Sequence, residues 1–270
     1  MSRLIRVVAT LVAAAWAVLG FALADLAVLL LWNPAFVSVF ALEASWGALL
    51  MFFVVVPCIH VAIRPGRWAD ALVTGGIALA SIVAGSLLAG DPATLILAGL
   101  LAASLAAIAV PGVIRARSGA ADAGVPWHPR LDVPLLVLAL AGMVLWAPYL
   151  VNATVGADGL PRDITMGLDH WPVHIAAGIA IPLGALVAAV LGRVRTLAAC
   201  ASALSAVSIG TAMAVSQGAP SATESAHWSV LAVTWGTLLL LALVWSGRRN
   251  EKIEDDIVDR VDRAPSRSTS

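Results

Sequence analysis

Charge is what this chain has least of. Only 12% of its 270 residues are Asp, Glu, Lys or Arg, against about 25% in an ordinary soluble domain. Lysine is nearly absent: Lys252 is the only one, and it lies near the C-terminus. No lysine is therefore placed to hold a Schiff-base chromophore inside a membrane, which excludes a retinal protein. The two cysteines, Cys58 and Cys200, sit singly in apolar stretches. They cannot form a disulfide scaffold or a C-x-x-C zinc or redox pair, and read as buried thiols. Basic and acidic residues balance at 16 each, so no nucleic-acid footprint exists. P-loop, G-x-S-x-G, H-E-x-x-H and C-x-x-C-H motifs are missing, which removes support for nucleotide hydrolysis, serine hydrolase chemistry and c-type haem.

What is abundant is apolar. Hydrophobic residues make up 61% of the chain and the mean hydropathy is +0.96. A membrane-spanning helix needs about 20 such residues, and Gly, Pro and polar punctuation divides the sequence into eight candidates. They run Leu4 to Leu31, Phe36 to Ile63, Ala69 to Ala89, Ala93 to Ile114, Val133 to Val151, Pro172 to Leu191, Thr196 to Ser216 and Trp228 to Ser246. The expected fold is an all-α polytopic transmembrane bundle over residues 1–246, followed by a charged tail, 247–270. Longer connections are expected at Arg115 to Asp132 and Asn152 to Asp169.

Arginine fixes the expected orientation, because cytoplasmic loops retain basic residues during insertion. Arg3 and Arg6, Arg64 and Arg67, Arg115, Arg117 and Arg130, Arg193 and Arg195, and the basic residues of the tail occupy alternate connections. Arg162 alone falls on the other side. The pattern predicts eight spans with both termini cytoplasmic. Arg3, Arg6, the apolar run and Ala22-Leu23-Ala24 resemble a signal peptide, but the run continues to Leu31 and is expected to be an uncleaved span.

Packing between spans should use small residues at four-residue spacing. Ala176, Ala180, Gly184, Ala188 and Gly192 form one such ridge, and Ala198, Ser202, Ala206, Gly210 and Ala214 another, predicting a tight hairpin at the centre of the bundle. Gly76, Ala80 and Ala84, and then Ala98, Ala102 and Ala106, suggest further ridges. Pro57, Pro111, Pro148 and Pro182 mark kinks. Trp32, Trp68, Trp127, Trp171, Trp228 and Trp245 fall at span ends and are expected to form an interfacial belt.

Ionisable groups inside a membrane are costly and point to function. Asp25 and Glu43 flank the turn around Asn33 at comparable depth and can face each other, sharing a proton or binding a cation; the other reading keeps them as separate hydrogen-bonded carboxyls. A second group comprises Asp158, Asp163, Asp169, His170 and His174. Histidine with carboxylate suits copper or zinc, and histidine alone suits proton exchange. Pro172 disfavours helix at Trp171, so His170 is expected to precede the helix, and Asp169 can simply cap it. Ala226-His227-Trp228 echoes Asp169-His170-Trp171, and a closed bundle would ring Asp169, His170, His174, Glu224 and His227 around an outward-facing vestibule. His60 and His128 read as helix-end packing and headgroup contacts. In the tail, Ile253, Ile257 and Val261 recur every fourth residue, the pattern of a short amphipathic helix or a solvated arm.

The segment Asp163-Ile164-Thr165-Met166-Gly167-Leu168-Asp169-His170-Trp171-Pro172-Val173 resembles multi-pass membrane proteins of unassigned activity from high-GC actinobacteria. That resemblance implies a bacterial cytoplasmic membrane and no particular reaction. The His170-x-x-x-His174 start of the sixth span is similar to multi-pass copper-delivery proteins of oxidase assembly, implying copper, although no Met-rich loop accompanies it. Two functions stay open. The first binds or passes a small cation, a proton or transition metal, at the Asp/Glu/His groups. The second is a noncatalytic subunit in the lipid bilayer that holds a membrane-protein partner through its helix faces or the 247–270 tail.

Overall fold

The computed structural model describes residues 2–27, 37–118, 129–160, 164–165 and 167–262, with side chains as far as 248. Trp32, Asn33, Trp127, His128, Arg162 and Asp163 lie outside the described residues, as do the side chains of Ile253, Ile257 and Val261. The fold is all-α apart from one short hairpin. Its helices are α1 (Ser2–Val18), α2 (Ala22–Ala27), α3 (Phe40–Leu50), α4 (Val56–Ile63), α5 (Trp68–Leu88), α6 (Leu95–Arg117), α7 (Val133–Gly159), α8 (Trp171–Val190), α9 (Arg195–Val215) and α10 (Ala226–Asp262). A π-helical turn, Met51–Val55, joins α3 to α4. Among the described residues, seven helical segments are long and apolar enough to cross a membrane, the first of them Phe40–Ile63 and the last Ala226–Arg248. The chain is a multi-pass membrane bundle.

The N-terminal segment departs from the single span expected. It is two helices, broken at Gly20 and Phe21, where Phe21 takes a left-handed φ of 59°. With 17 residues, α1 rises only about 25 Å at 1.5 Å per residue. The break is held by Trp46, whose Nε1 donates to the Gly20 carbonyl at 2.8 Å.

Pro57 explains the π turn. It lacks an N–H, and its ring would crowd the carbonyl four residues back. Widening the turn relieves this, with the Val56 N–H reaching Met51 O, five residues away. Two boundaries also move. Helix α7 continues to Gly159, past the expected end at Val151, because Gly156 lets the Trp171 ring lie against it. Helix α10 continues through the tail to Asp262. Between α7 and α8, β1 (Ile164–Thr165) pairs antiparallel with β2 (Leu168–Asp169). Gly167, at φ 80°, supplies the left-handed residue of that turn.

Small residues set the packing, though not all those expected. The α8–α9 hairpin forms: a Cβ on Gly184 would meet Ser202 Oγ and the Phe53 ring, and Ala176, Ala180 and Ala188 are fully buried. Gly210 faces Ser229 and Ala232 of α10. Ala214, at the end of that ridge, is exposed. The α5 and α6 ridges sit elsewhere than predicted. Gly76 has open space around it and Ala80, Ala102 and Ala106 are exposed. Gly85 instead touches the α8 backbone at Pro172, and α6 buries Leu101, Leu105 and Ile108. Spacing alone fixes a stripe but not its azimuth, and in an alanine-rich helix several stripes qualify.

Arginine-bearing connections meet at one end of the bundle. Asp70, fully buried, accepts from Arg193 Nε at 2.9 Å and from Arg67 Nε, while Arg67 Nη2 donates to the Arg193 carbonyl at 2.5 Å. Arg195 pairs with Asp132 at 3.3 Å and donates to the Arg130 carbonyl at 2.7 Å. The backbone of Arg130 and Asp132 bonds to Val190 and Ala189. Three separate connections are thus cross-linked, with Asp70 shared between two of them.

Replacing Gly184 by leucine should destabilise the bundle by about 1–3 kcal/mol through overpacking, whereas Gly76→Leu should leave the detergent melting temperature unchanged. Asp70→Ala should cost on the order of 3 kcal/mol by stranding Arg193, read in the same melting experiment.

Candidate functional site

The opening turns of α3 gather the polar groups that the sequence placed in two separate features. Every residue from Phe40 to Leu50 is buried, so each polar side chain there must find a partner inside the protein. Ser45 Oγ lies 2.6 Å from His174 Nδ1, in the first turn of α8. Tyr149, on α7, brings its hydroxyl to 3.0 Å from the same nitrogen and 3.3 Å from Ser45 Oγ. Ser45 also reaches the Ala41 carbonyl at 2.6 Å, and Tyr149 the His174 carbonyl at 3.2 Å. Next along α3, Trp46 stacks on His170, ring centroids 4.4 Å apart and planes 23° from parallel. One residue further, Gly47 lies against the backbone of Asp25 and Leu26 in α2. Glu43 and Asp25 are both buried at this hub.

Hydrogen accounting gives the two hydroxyls of the Ser45–Tyr149–His174 cluster two arrangements, with His174 Nε2 buried and without a hydrogen-bond partner in both. Carbonyls only accept, and each hydroxyl has one hydrogen to give. With the imidazole hydrogen on Nδ1, that nitrogen donates to Ser45, Ser45 donates to Ala41 O, and Tyr149 donates to His174 O. With Nδ1 bare, Tyr149 donates to it, Ser45 still donates to Ala41 O, and the imidazole hydrogen sits on Nε2. Both hydroxyls stay bonded either way.

Aromatic rings close the cluster off from water. Trp171 meets His174 edge-on at 5.4 Å, Trp228 stacks on Tyr149 at 5.3 Å, and Trp146 packs edge-on against both Tyr149 and Trp228. Trp171 and Trp228 are therefore core residues and not members of an interfacial belt. The N–H of Trp228 finds the Leu145 carbonyl at 2.9 Å. Trp245, by contrast, is exposed. Gly178 admits the Tyr149 ring against α8.

The expected residues fall into distinct roles. Asp169 Oδ1 accepts the Trp171 N–H at 3.1 Å, capping α8. His170 precedes α8 as its N-cap, as expected, at φ −79° and ψ −20°, and its carbonyl accepts from His174 N at 2.9 Å. Pro172 does not break this turn because a first-turn residue has no intrahelical use for an N–H. Glu224 is buried and accepts from Asn152 Nδ2 at 2.7 Å, while Gln217 Nε2 donates to its carbonyl at 3.2 Å. Burial raises its carboxyl above the usual range, with the Asn152 bond opposing. His227 is exposed, and so is Asp158. Among the described residues no three His, Cys, Asp or Glu side chains gather as metal donors. The expected ring of Asp169, His170, His174, Glu224 and His227 does not form such a group, because capping, stacking and exposure send its members in different directions.

Ser45, Tyr149 and Asn152 went unnoticed in the sequence. Tyr149 is the only tyrosine and lies in an apolar span, and Ser45 follows Glu43 by two residues; both were available as signals. Asn152 was assigned to a loop, which hid its position one turn beyond Tyr149.

Because the folded Glu224 pKa is raised, the folded chain binds more protons than the unfolded one just above the ordinary glutamate value of 4.5. Stability should fall as pH rises through the window from there to the raised folded value. Glu224→Gln should flatten the dependence of melting temperature on pH across that window. No protein-family model, curated protein or solved structure matches the chain.

Proposed function

We propose that this protein is a proton-relaying membrane protein, in which His174 exchanges protons through Tyr149 and Ser45. It stands in a bacterial cytoplasmic membrane with eight spans, the broken α1–α2 segment being the first, and both termini cytoplasmic. The arginine cluster around Asp70 then faces inward, and Glu224 and Asn152 face outward. One observation carries the reading: an imidazole nitrogen within 3.0 Å of two hydroxyls that stay bonded in either tautomer. Taking up a proton at Nδ1 and releasing one from Nε2 interconverts those arrangements, the Nε2 proton passing to a water that enters when the buried, unpartnered Nε2 is uncovered. Buried carboxyls Asp25 and Glu43 lie on the same hub and are available as further stations. A transition metal has less support, since no three-donor group occurs among the described residues.

A second reading, a subunit that holds a partner, is favoured by the unbroken course of α10 to Asp262, well beyond its apolar part. A chain cut after Arg248 separates the two, because the relay does not need the tail.

The test is proton flux into proteoliposomes carrying an internal pH dye, driven by a potassium diffusion potential. Wild type and the 248-residue chain should acidify the lumen. His174→Ala should abolish the flux, and Tyr149→Phe should cut it by about a hundredfold, the scale of losing one positioned proton carrier. Equal flux in wild type, His174→Ala and empty vesicles would reject the relay.

A further inference from the structure

A relay needs a place where protons enter, and the end of the bundle opposite the arginines has one carboxyl suited to it. Resting on the relay proposed above, we infer that Glu224 is the proton port of that site, held in place by Asn152 and loading His174 by way of Tyr149.

Three placements carry this. Asn152 follows Tyr149 by one turn on α7, so the two side chains share a face of that helix. Its amide donates to Glu224 Oε1 at 2.7 Å, which brings the carboxyl over from the α9–α10 connection to the Tyr149 face. Four residues beyond Glu224, Trp228 in the first turn of α10 stacks on the Tyr149 ring at 5.3 Å, fixing that connection on the phenol. Beside Asn152 a cleft of about 340 Å³ opens between Gly156, Gly159, Pro220 and Thr223, giving water access to this end of α7.

The groups around Glu224 fit the role of a port. On α7 the facing titratable group is Tyr149, and Asp158 is exposed further along. On its own segment the neighbouring imidazole is His227, also exposed. Gln217 binds the Glu224 carbonyl and leaves the carboxyl to Asn152. No arginine or lysine pairs with Glu224 among the described residues, and the Asn152 amide that favours the ionised form is outweighed by burial.

The step conserves atoms and charge. Glu224 takes a proton from solvent and becomes neutral. It passes that proton, through one water, to the Tyr149 oxygen as the Tyr149 hydrogen moves to His174 Nδ1. Glu224 is left as carboxylate, Tyr149 is restored, and His174 is imidazolium. Asn152 is a positioning residue and transfers nothing.

The experiment uses full-length protein in the same proteoliposomes, with the pH dependence of flux measured for wild type, Glu224→Gln, Glu224→Asp and Asn152→Leu. The proposal expects Glu224→Gln to lose about tenfold or more of the flux and its acid limb. Glu224→Asp should restore part of both. Asn152→Leu should shift the acid limb while keeping the carboxyl. Detergent melting confirms that each variant is folded, and a merely structural role would move melting without moving the pH profile. Wild-type flux with an unchanged profile in Glu224→Gln overturns the port alone. No wild-type flux overturns the relay and the port together.

Discussion

Polar groups enclosed in hydrocarbon have to be satisfied by the protein itself, and that requirement shapes the interior around α3. In water a stray serine or histidine costs little, whereas an unmet buried donor or acceptor costs about 1–3 kcal/mol. Ser45, His174 and Tyr149 belong to three different helices. Their mutual hydrogen bonds fix the azimuth of all three at once, which an apolar interface of alanine and leucine cannot do. Small residues then make the approach possible: Gly47 beneath α2, Gly178 beneath the Tyr149 ring and Gly85 beneath the start of α8. The hydrogen bonds choose the register and the glycines permit it.

The two ends of the bundle are held by different forces. At one, Arg67, Asp70, Arg193, Arg195 and Asp132 cross-link three connections through charge, with Asp70 wholly removed from solvent. At the other, the ties among the described residues include an amide to Glu224, a carboxyl cap from Asp169 and a stacked indole on His170. A buried carboxylate shared by two guanidiniums resists opening, because separating them strands a charge. The proposed exchange of the enclosed imidazole with solvent is therefore placed at the end away from the arginine cluster, where the Asn152 cleft lies.

Much of the architecture was legible because it rests on composition and period. Runs of apolar residues located the spans, and alternating arginines matched connections that do meet at one end. The Gly184 ridge was legible too, since glycine there has a single packing use. What escaped depended on direction. Gly76 and Gly85 both sit in α5, and nothing local tells which of them faces α8. Trp171 and Trp228 occupy span ends, where indoles usually meet headgroups, and only the third dimension turns them inward onto Tyr149. The site was half legible: Asp25, Glu43, His170 and His174 stood out as costly groups in lipid, but their convergence depends on Ser45 and Trp46, which look ordinary in sequence. Asn152 was hidden because α7 runs on where punctuation suggested a loop.

The aromatic enclosure bears on which cation the hub can serve. Indole and phenol faces pack around the buried His174, and low dielectric strengthens each hydrogen bond there while penalising any net charge. A divalent metal would need several ionised or imidazole donors to offset that penalty. Asp169 is committed to the α8 cap, His170 is stacked on Trp46, and His227 is turned to solvent. Moving one proton through a neutral chain asks far less: charge appears only transiently, and each hydroxyl keeps a partner before and after. The same dryness that disfavours a resident ion is thus consistent with the proposed relay, and burial, which raises the Glu224 carboxyl, suits it to the port proposed for that chain.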